Sequence, residues 1–255
     1  MSFQLDAAGV WRLEAWRELP WLRHGFTTRQ TGDFAGLAPD PASFDRLGID
    51  GMPLTTVRQV HSDRVCLLAD EESAWEPARR PEADAIVSSL AGRALAVRTA
   101  DCLPLLLIDR GRRVVAAVHA GWRGTQQQIA GRAIETMRAH FGSSPDDLEA
   151  AIGPGIQACC FEVGFEVAEQ FDSSLVLAPA ADGIPGPGEV REGTRKKPHI
   201  DLVEANRRQL LARGMPERAI WCSTHCTCCP EADFFSYRRS RDAARMLAFI
   251  GIKAV

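Results

Sequence analysis

The sequence predicts an α+β fold in a single domain spanning residues 1–255. Three observations carry this. Strand-length apolar runs crowd between residues 93 and 120: "RALAVRT" (93–99), "LPLLLID" (103–109) and "RRVVAAVHA" (112–120). Helical periods enter only after them, mixed with further strands, which is the α+β order. The chain has 255 residues and is 45% apolar, long enough to bury a sizeable core.

Each element has its own reason. Apolar residues on successive positions suit strands covered on both faces. Thr99–Cys102 separates the first strand from the second. Asp109-Arg110-Gly111-Arg112 reads as a hairpin turn, with Gly111 supplying a positive φ. After "GWRGT" the period changes. In "QQQIAGRAIETMRAHFG" (126–142), Ile129, Ala133, Ile134, Met137 and Phe141 share one helical face, and Gly142 stops the helix. "LEAAIG" (148–153) reads as a strand. "DLVEANRRQLLARG" (201–214) reads as a second helix, N-capped by Asp201 and closed by Gly214. "RDAARMLAFIG" (241–251) reads as a third. The proline- and glycine-rich stretch at about 174–198 reads as a long surface loop, not a domain boundary.

The formal net charge is -3, and nothing in that balance suggests a nucleic-acid partner. The basic runs Arg110–Arg113 and Arg195–Lys197 are short and read as solvated loop faces. The N-terminus "MSFQLDAAGVWRLEAWRELP" has no basic start followed by an apolar core, so no signal peptide is expected. No run approaches the ~18 apolar residues of a membrane span, so no membrane partner is expected. The expectation is a cytoplasmic protein, monomeric or a small homo-oligomer. That compartment keeps thiols reduced, so the eight cysteines need a reason in burial or in metal and catalytic chemistry.

Three places put soft or nitrogen donors at the ends of apolar segments: Gln59-Val60-His61, Thr99-Ala100-Asp101-Cys102, and Val118-His119 leading into Ala120-Gly121-Trp122-Arg123-Gly124. Two histidines and one cysteine can hold zinc and leave a fourth position for water or substrate. Each residue also has a plain reading. Cys102 can be a small buried hydrophobe, His119 can bond a backbone carbonyl, and His61 can sit on the surface. In "HAGWRGT", Gly121 and Gly124 allow close backbone approach, Trp122 offers a stacking face and Arg123 can clamp an oxyanion. A helix starting near Thr125 adds partial positive charge; the plain reading is a tight turn packed by its tryptophan. The cluster Cys222, Cys226, Cys228 and Cys229 with His225 is a rival metal site, made awkward by the adjacency of Cys228 and Cys229. Cys159-Cys160 reads as core or strand-end packing.

The motifs "TTR" (27–29), "QVH" (59–61), "ADAIVS" (83–88), "TADCLPLLL" (99–107), "AAVHAGWRGT" (116–125), "IGPGI" (152–156), "CFEVG" (160–164) and "CT…FFSYRR" (226–239) occur in this order. Together they resemble the laccase-domain family, also called polyphenol-oxidase-like or YfiH-type, over nearly the whole chain. The resemblance implies a layered α/β/β/α arrangement related to cysteine-hydrolase-like domains. It implies a zinc site made by His61, Cys102 and His119. It implies action on purine nucleosides: phosphorolysis of adenosine, inosine, guanosine or methylthioadenosine to base and ribose-1-phosphate, and deamination of adenosine. A link to peptidoglycan-precursor editing is implied for the bacterial branch.

On that basis Arg29 and Arg123 are expected to hold phosphate, assisted by the helix start near Thr125. Trp122 or Phe26 is expected to stack the base or ribose. Deamination needs hydroxide at C6 of adenine, and zinc lowers the pKa of water to about 7. Asp101 is expected to shuttle a proton or to orient a ligand histidine; its plain reading is a turn carboxylate. An alternative enzyme class uses Cys102 as thiolate nucleophile and His119 as base for amide hydrolysis, which suits peptidoglycan editing. A copper-dependent polyphenol oxidase is the remotest reading. A multicopper site needs about ten histidines, often in His-x-His pairs, on copper's preference for imidazole. This chain has six and no such pair. Single-copper binding at the His2Cys site in vitro stays compatible with the donors.

Overall fold

In the computed structural model of the chain, the described residues are 2–36, 45–49, 51–70, 79–178 and 197–254. Two six-stranded sheets pack face to face. The first contains β1 (Phe3–Leu5), β2 (Val10–Leu13), β3 (Leu22–Thr27), β4 (Leu54–Thr56), β7 (Arg93–Thr99) and β14 (Met246–Ile252), in the order β1-β2-β3-β14-β7-β4. The second contains β5 (Val65–Leu68), β6 (Ala85–Ser88), β8 (Leu103–Asp109), β9 (Val114–Ala120), β10 (Leu148–Ile152) and β13 (Ile220–Cys222), in the order β13-β10-β8-β9-β6-β5. A small ribbon pairs β11 (Val176–Leu177) with β12 (His199–Ile200).

The layers follow from the period-2 alternation of strand side chains. In β8, Leu103, Leu105 and Leu107 face the helices, while Leu106 and Ile108 face the other sheet. In β9, Val114, Ala116 and Val118 take the helix side, while Val115 and Ala117 take the inter-sheet side. Both faces are apolar because both are covered. The helix side packs against Ile129, Ala133 and Met137 and against Leu202 and Leu210. The inter-sheet core adds Leu95, Val97, Ala248 and Ile250. On the far face of the first sheet, Phe34, Leu47, Ile49 and Met52 cover Val10, Ala96 and Phe249.

Among the described residues the α-helices are α1 (Glu14–Arg17), α2 (Trp122–Gln126), α3 (Ile129–Phe141), α4 (Phe165–Ala168), α5 (Leu202–Ala212) and α6 (Tyr237–Ser240). Asp201 caps α5 by accepting from the Glu204 N–H at 2.9 Å, and Gly142 ends α3 in a left-handed conformation (φ 68). No helix among the described residues is long and apolar enough to cross a membrane.

Three expectations change. Residues 241–251 do not form a helix. Met246–Ile252 is the strand β14, hydrogen-bonded between β3 and β7. A short continuous apolar run does not distinguish a buried strand from a helix, and its two open neighbours decide here. Gly251 is needed in that strand, since a Cβ there would lie 2.8 Å from the Arg93 carbonyl. The expected helix at 126–142 is two helices, broken at Gln128, which is left-handed (φ 65). The hairpin turn takes its positive φ at Arg113 (φ 50), not at Gly111. Asp109 closes that turn by accepting from the Arg112 N–H at 2.9 Å. The runs 93–99 and 103–109 belong to different sheets, so Ala100-Asp101-Cys102 is the crossing between them. Most of the loop expected at 174–198 lies outside the described residues.

Candidate metal centre

The β8–β9 hairpin pairs Leu103 with Ala120 and Pro104 with His119. That register sets Cys102, one residue before β8, beside His119, one residue from the end of β9. His61 arrives from the loop after β4. The ligand atoms of His61, Cys102 and His119 all lie within 4.8 Å of one another. The two imidazoles meet edge-on, with ring centroids 5.0 Å apart.

Asp84, fully buried just ahead of β6, organises the three. Its Oδ1 lies 2.9 Å from His119 Nδ1 and accepts from the His61 N–H at 3.0 Å. Its Oδ2 accepts from the Ser62 N–H at 2.6 Å and the Ser62 hydroxyl at 2.8 Å. The carboxylate therefore gathers the turn that carries His61, which is itself left-handed (φ 59). It also leaves His119 Nε2 as the ring nitrogen available to a ligand. Gln59 fixes the same turn to β7. Its amide accepts from the Arg98 N–H and donates to the Arg98 carbonyl, both at 2.8 Å. Gly121 permits the close approach: a Cβ there would sit 3.0 Å from Cys102 Sγ and 3.1 Å from His61 Cδ2.

The electrostatics couple the donors to one another. Burial alone raises the Cys102 thiol, but His119 and His61 outweigh it and bring it down to about 6. Burial alone lowers His119, yet the Cys102 thiolate and Asp84 raise it to about 9. Burial raises Asp84, and its hydrogen bonds from His119 and Ser62 bring it down to about 2. A thiolate, two imidazoles and a carboxylate bracing one of them match the donors and outer support that zinc takes.

The trio opens onto a cavity of about 990 Å³, whose lining includes His61, Asp101, Cys102 and His119. Among the described residues, five cationic side chains also line it: Arg98, Lys197, Arg238, Arg241 and Arg245. Arg98 Nε is buried and, among the described residues, has no hydrogen-bond partner. Tyr237 lines the same cavity, 46% exposed, with the Arg241 and Arg245 guanidinium carbons 5.3 and 5.8 Å from its ring centroid. Asp101 is left-handed (φ 92) at the crossing between sheets. Its carboxylate accepts from the Thr227 hydroxyl at 2.8 Å and the Arg238 N–H at 2.7 Å. The carboxylate that holds a trio histidine is thus Asp84, not Asp101.

The remaining residues singled out from the sequence lie outside this lining. Thr125 is buried against α5; its hydroxyl accepts from Asn206 at 3.0 Å and its carbonyl from Gln209 at 2.6 Å. The helix starts at Trp122, after Gly121, not near Thr125. Phe26 is a core residue, 2% exposed, and a Cβ on Gly153 would come 2.2 Å from its ring. Trp122 packs against the core on the helix side. Arg123 is exposed and lies over the Trp122 ring at 4.3 Å, while Arg29 lies over Phe235 at 5.8 Å. The cavity's cations were missed individually, although "FFSYRR" contains Tyr237 and Arg238.

Known proteins share both fold and sequence. The model of the family described as multi-copper polyphenol oxidoreductase laccase matches residues 42–253. The chain is 40% identical over 204 residues to adenosine deaminase RL5 from an unknown prokaryotic organism, covering 76% of this chain and 72% of that protein. It is 37% identical over 250 residues to a purine nucleoside phosphorylase of Deinococcus radiodurans, covering 90% and 88%. The crystal structure of YlmD from Geobacillus stearothermophilus superposes with a TM-score of 0.80 at 30% identity, covering 99% of each chain. That of the Bacillus licheniformis hypothetical protein YfiH does so at 0.81 and 27%, covering 98% and 99%. These relatives' names support purine nucleoside processing. With a family match over most of its length and relatives of this identity across most of both chains, the chain belongs to the multi-copper polyphenol oxidoreductase laccase family, in its YfiH-type branch.

Proposed function

We propose that this chain is a zinc-dependent purine nucleoside enzyme, with phosphorolysis its first activity and adenosine deamination at the same site its second. The observation that carries the reading is the His61–Cys102–His119 trio opening into a cavity lined by five cationic side chains and Tyr237. Zinc held by that trio would act as a Lewis acid and lower the pKa of water to about 7.

Phosphorolysis forms a bond from a phosphate oxygen to the ribose anomeric carbon. The C–N bond to the purine breaks, its electron pair leaves on the base, and the base takes a proton. The phosphate's charge calls for cations in a partly closed site, and Arg98, Arg241 and Arg245 serve that role. Arg98 has a buried N–H that has no partner among the described residues. Tyr237 gives the base a flat face. Asp101, on the cavity wall, is assigned to hold or pass a proton and keeps Arg238 in place through its N–H. Arg29, Arg123, Trp122, Phe26 and Thr125 are left without a substrate role.

The name adenosine deaminase on a relative at 40% identity favours the second activity. Cys102, His119 and Asp84 also form a thiol–imidazole–carboxylate line, the arrangement of a cysteine hydrolase. His61, converging on the same point, favours a metal over a free nucleophile. Product analysis separates the readings. With adenosine or inosine, phosphate-dependent release of free base and ribose-1-phosphate supports phosphorolysis. Inosine formed from adenosine without phosphate supports deamination. Absence of both products overturns the proposal.

A further inference from the structure

We propose that Cys159, Cys160, Cys226 and Cys229 form a second zinc site, structural in role and separate from the His61–Cys102–His119 trio. Their sulfurs all lie within 4.8 Å of one another. Cys159 Sγ is 3.7 Å from Cys160 Sγ and 3.9 Å from Cys229 Sγ, and Cys160 Sγ is 3.8 Å from Cys229 Sγ. A tetrahedron with zinc–sulfur bonds of about 2.3 Å has edges of about 3.8 Å. Three of the six sulfur–sulfur separations have that length.

The backbone turns N–H groups toward one of these sulfurs. Cys226 Sγ accepts the Gln157 N–H at 3.4 Å and is also hydrogen-bonded by the backbone of Cys228 and Cys229. Amide N–H groups directed at sulfur favour its charged form, which is the form that binds metal. The thiol protons of the four residues pass to solvent as zinc binds. Cys226 and Cys229 form a C-x2-C pair, and the adjacent Cys159-Cys160 pair, distant in sequence, closes the set. Cys222 and Cys228, members of the cluster the sequence suggests, are not part of this converging group.

The site joins two loops that build one wall of the cavity. Cys159 and Cys160 lead into Phe161–Gly164, and Cys226–Cys229 lead toward Tyr237 and Arg238, all of which line the cavity. The loops are tied further by arginines. Arg239 donates to the Cys229 carbonyl at 2.7 Å, and Arg238 donates to the Cys160 carbonyl at 3.3 Å and the Glu162 carbonyl at 2.9 Å. A metal here would set the position of the wall without touching substrate.

Zinc per chain tests this whatever reaction the enzyme performs. The full chain is loaded with zinc under reducing conditions, desalted and analysed by plasma mass spectrometry. The expected result is two zinc ions in the wild type, one in His61→Ala/His119→Ala and one in Cys226→Ser/Cys229→Ser. With cobalt in place of zinc, the His61→Ala/His119→Ala chain should show strong thiolate-to-metal charge-transfer absorption. A wild type with one zinc that disappears in His61→Ala/His119→Ala overturns the proposal. So does an intact mass lighter by a pair of hydrogens after mild oxidant-free purification, which marks a disulfide among the four. The wild type and the histidine variant decide the matter even if the cysteine variant does not fold.

Discussion

Asp84 Oδ1 stands 2.9 Å from His119 Nδ1, both side chains buried, and the same oxygen accepts the His61 backbone N–H at 3.0 Å. One carboxylate thus orients two of the three donors. Asp84→Asn keeps the shape but loses the charge that braces His119. Its zinc Kd should rise about 10–100-fold, the usual cost of losing an outer partner of a ligand histidine. Competition against a chromogenic chelator measures it, with circular dichroism as the check on folding. An unchanged Kd would remove Asp84 from the account.

Gly121 is required by space at the trio. Gly121→Ala would press a methyl to 3.0 Å from Cys102 Sγ and 3.1 Å from His61 Cδ2. Zinc binding at the trio should weaken at least as much as in Asp84→Asn. Gly111→Ala is the control, since its added methyl meets nothing closer than 3.6 Å. Equal zinc affinity in both variants would show that the trio tolerates the intrusion.

The cavity's cations, not Arg123, should govern phosphate use. Arg241→Gln and Arg245→Gln should each raise the phosphate KM by about 10–100-fold, the range of a lost hydrogen bond to a charged group. Arg123→Gln, exposed and stacked on Trp122, should leave it unchanged. The opposite ranking in steady-state kinetics would move the phosphate to the "HAGWRGT" turn.

His24 predicts a pH dependence of stability away from the site. It lies in β3, 2% exposed, accepting the Leu13 N–H at 3.0 Å. Burial and then the nearby Arg12 lower it from 6.5 to about 3. Between those values the unfolded chain binds a proton that the folded chain refuses, so stability falls as pH drops through this window. The loss is up to about 1.4 kcal/mol per pH unit, and the contribution is fully present above pH 6.5. Urea midpoints from pH 7 down to pH 4 should fall more steeply for the wild type than for His24→Gln. Parallel slopes would contradict the assignment.

Much of this was legible in the sequence, for physical reasons. β7 and β8 end where their apolar runs end, and α5 keeps its aspartate cap and its closing glycine. The hairpin that brings Cys102 to His119 follows from two adjacent runs and a short turn. β14 was not legible, because "MLAFIGI" has no polar positions from which a period can be read. Asp84 was hidden for another reason: an aspartate before a strand declares nothing until folding delivers His119 and the His61 turn to it. Arg98 and Arg245 share a cavity only because β7 and the residues before β14 are neighbours in one sheet. The four-cysteine group was not legible: the sequence sets Cys226 and Cys229 among Cys222 and Cys228, and their partners Cys159 and Cys160 lie in a distant loop.

Nucleoside cleavage by phosphate is proposed to depend on a metal held by the trio. The direct measurement is inosine phosphorolysis by metal-stripped protein titrated with zinc, followed as hypoxanthine release with phosphate present and absent. Turnover is expected to require phosphate, to rise in proportion to zinc bound at the trio, and to be abolished in Cys102→Ala. Full turnover in the stripped protein, or in zinc-loaded Cys102→Ala, would contradict the proposal.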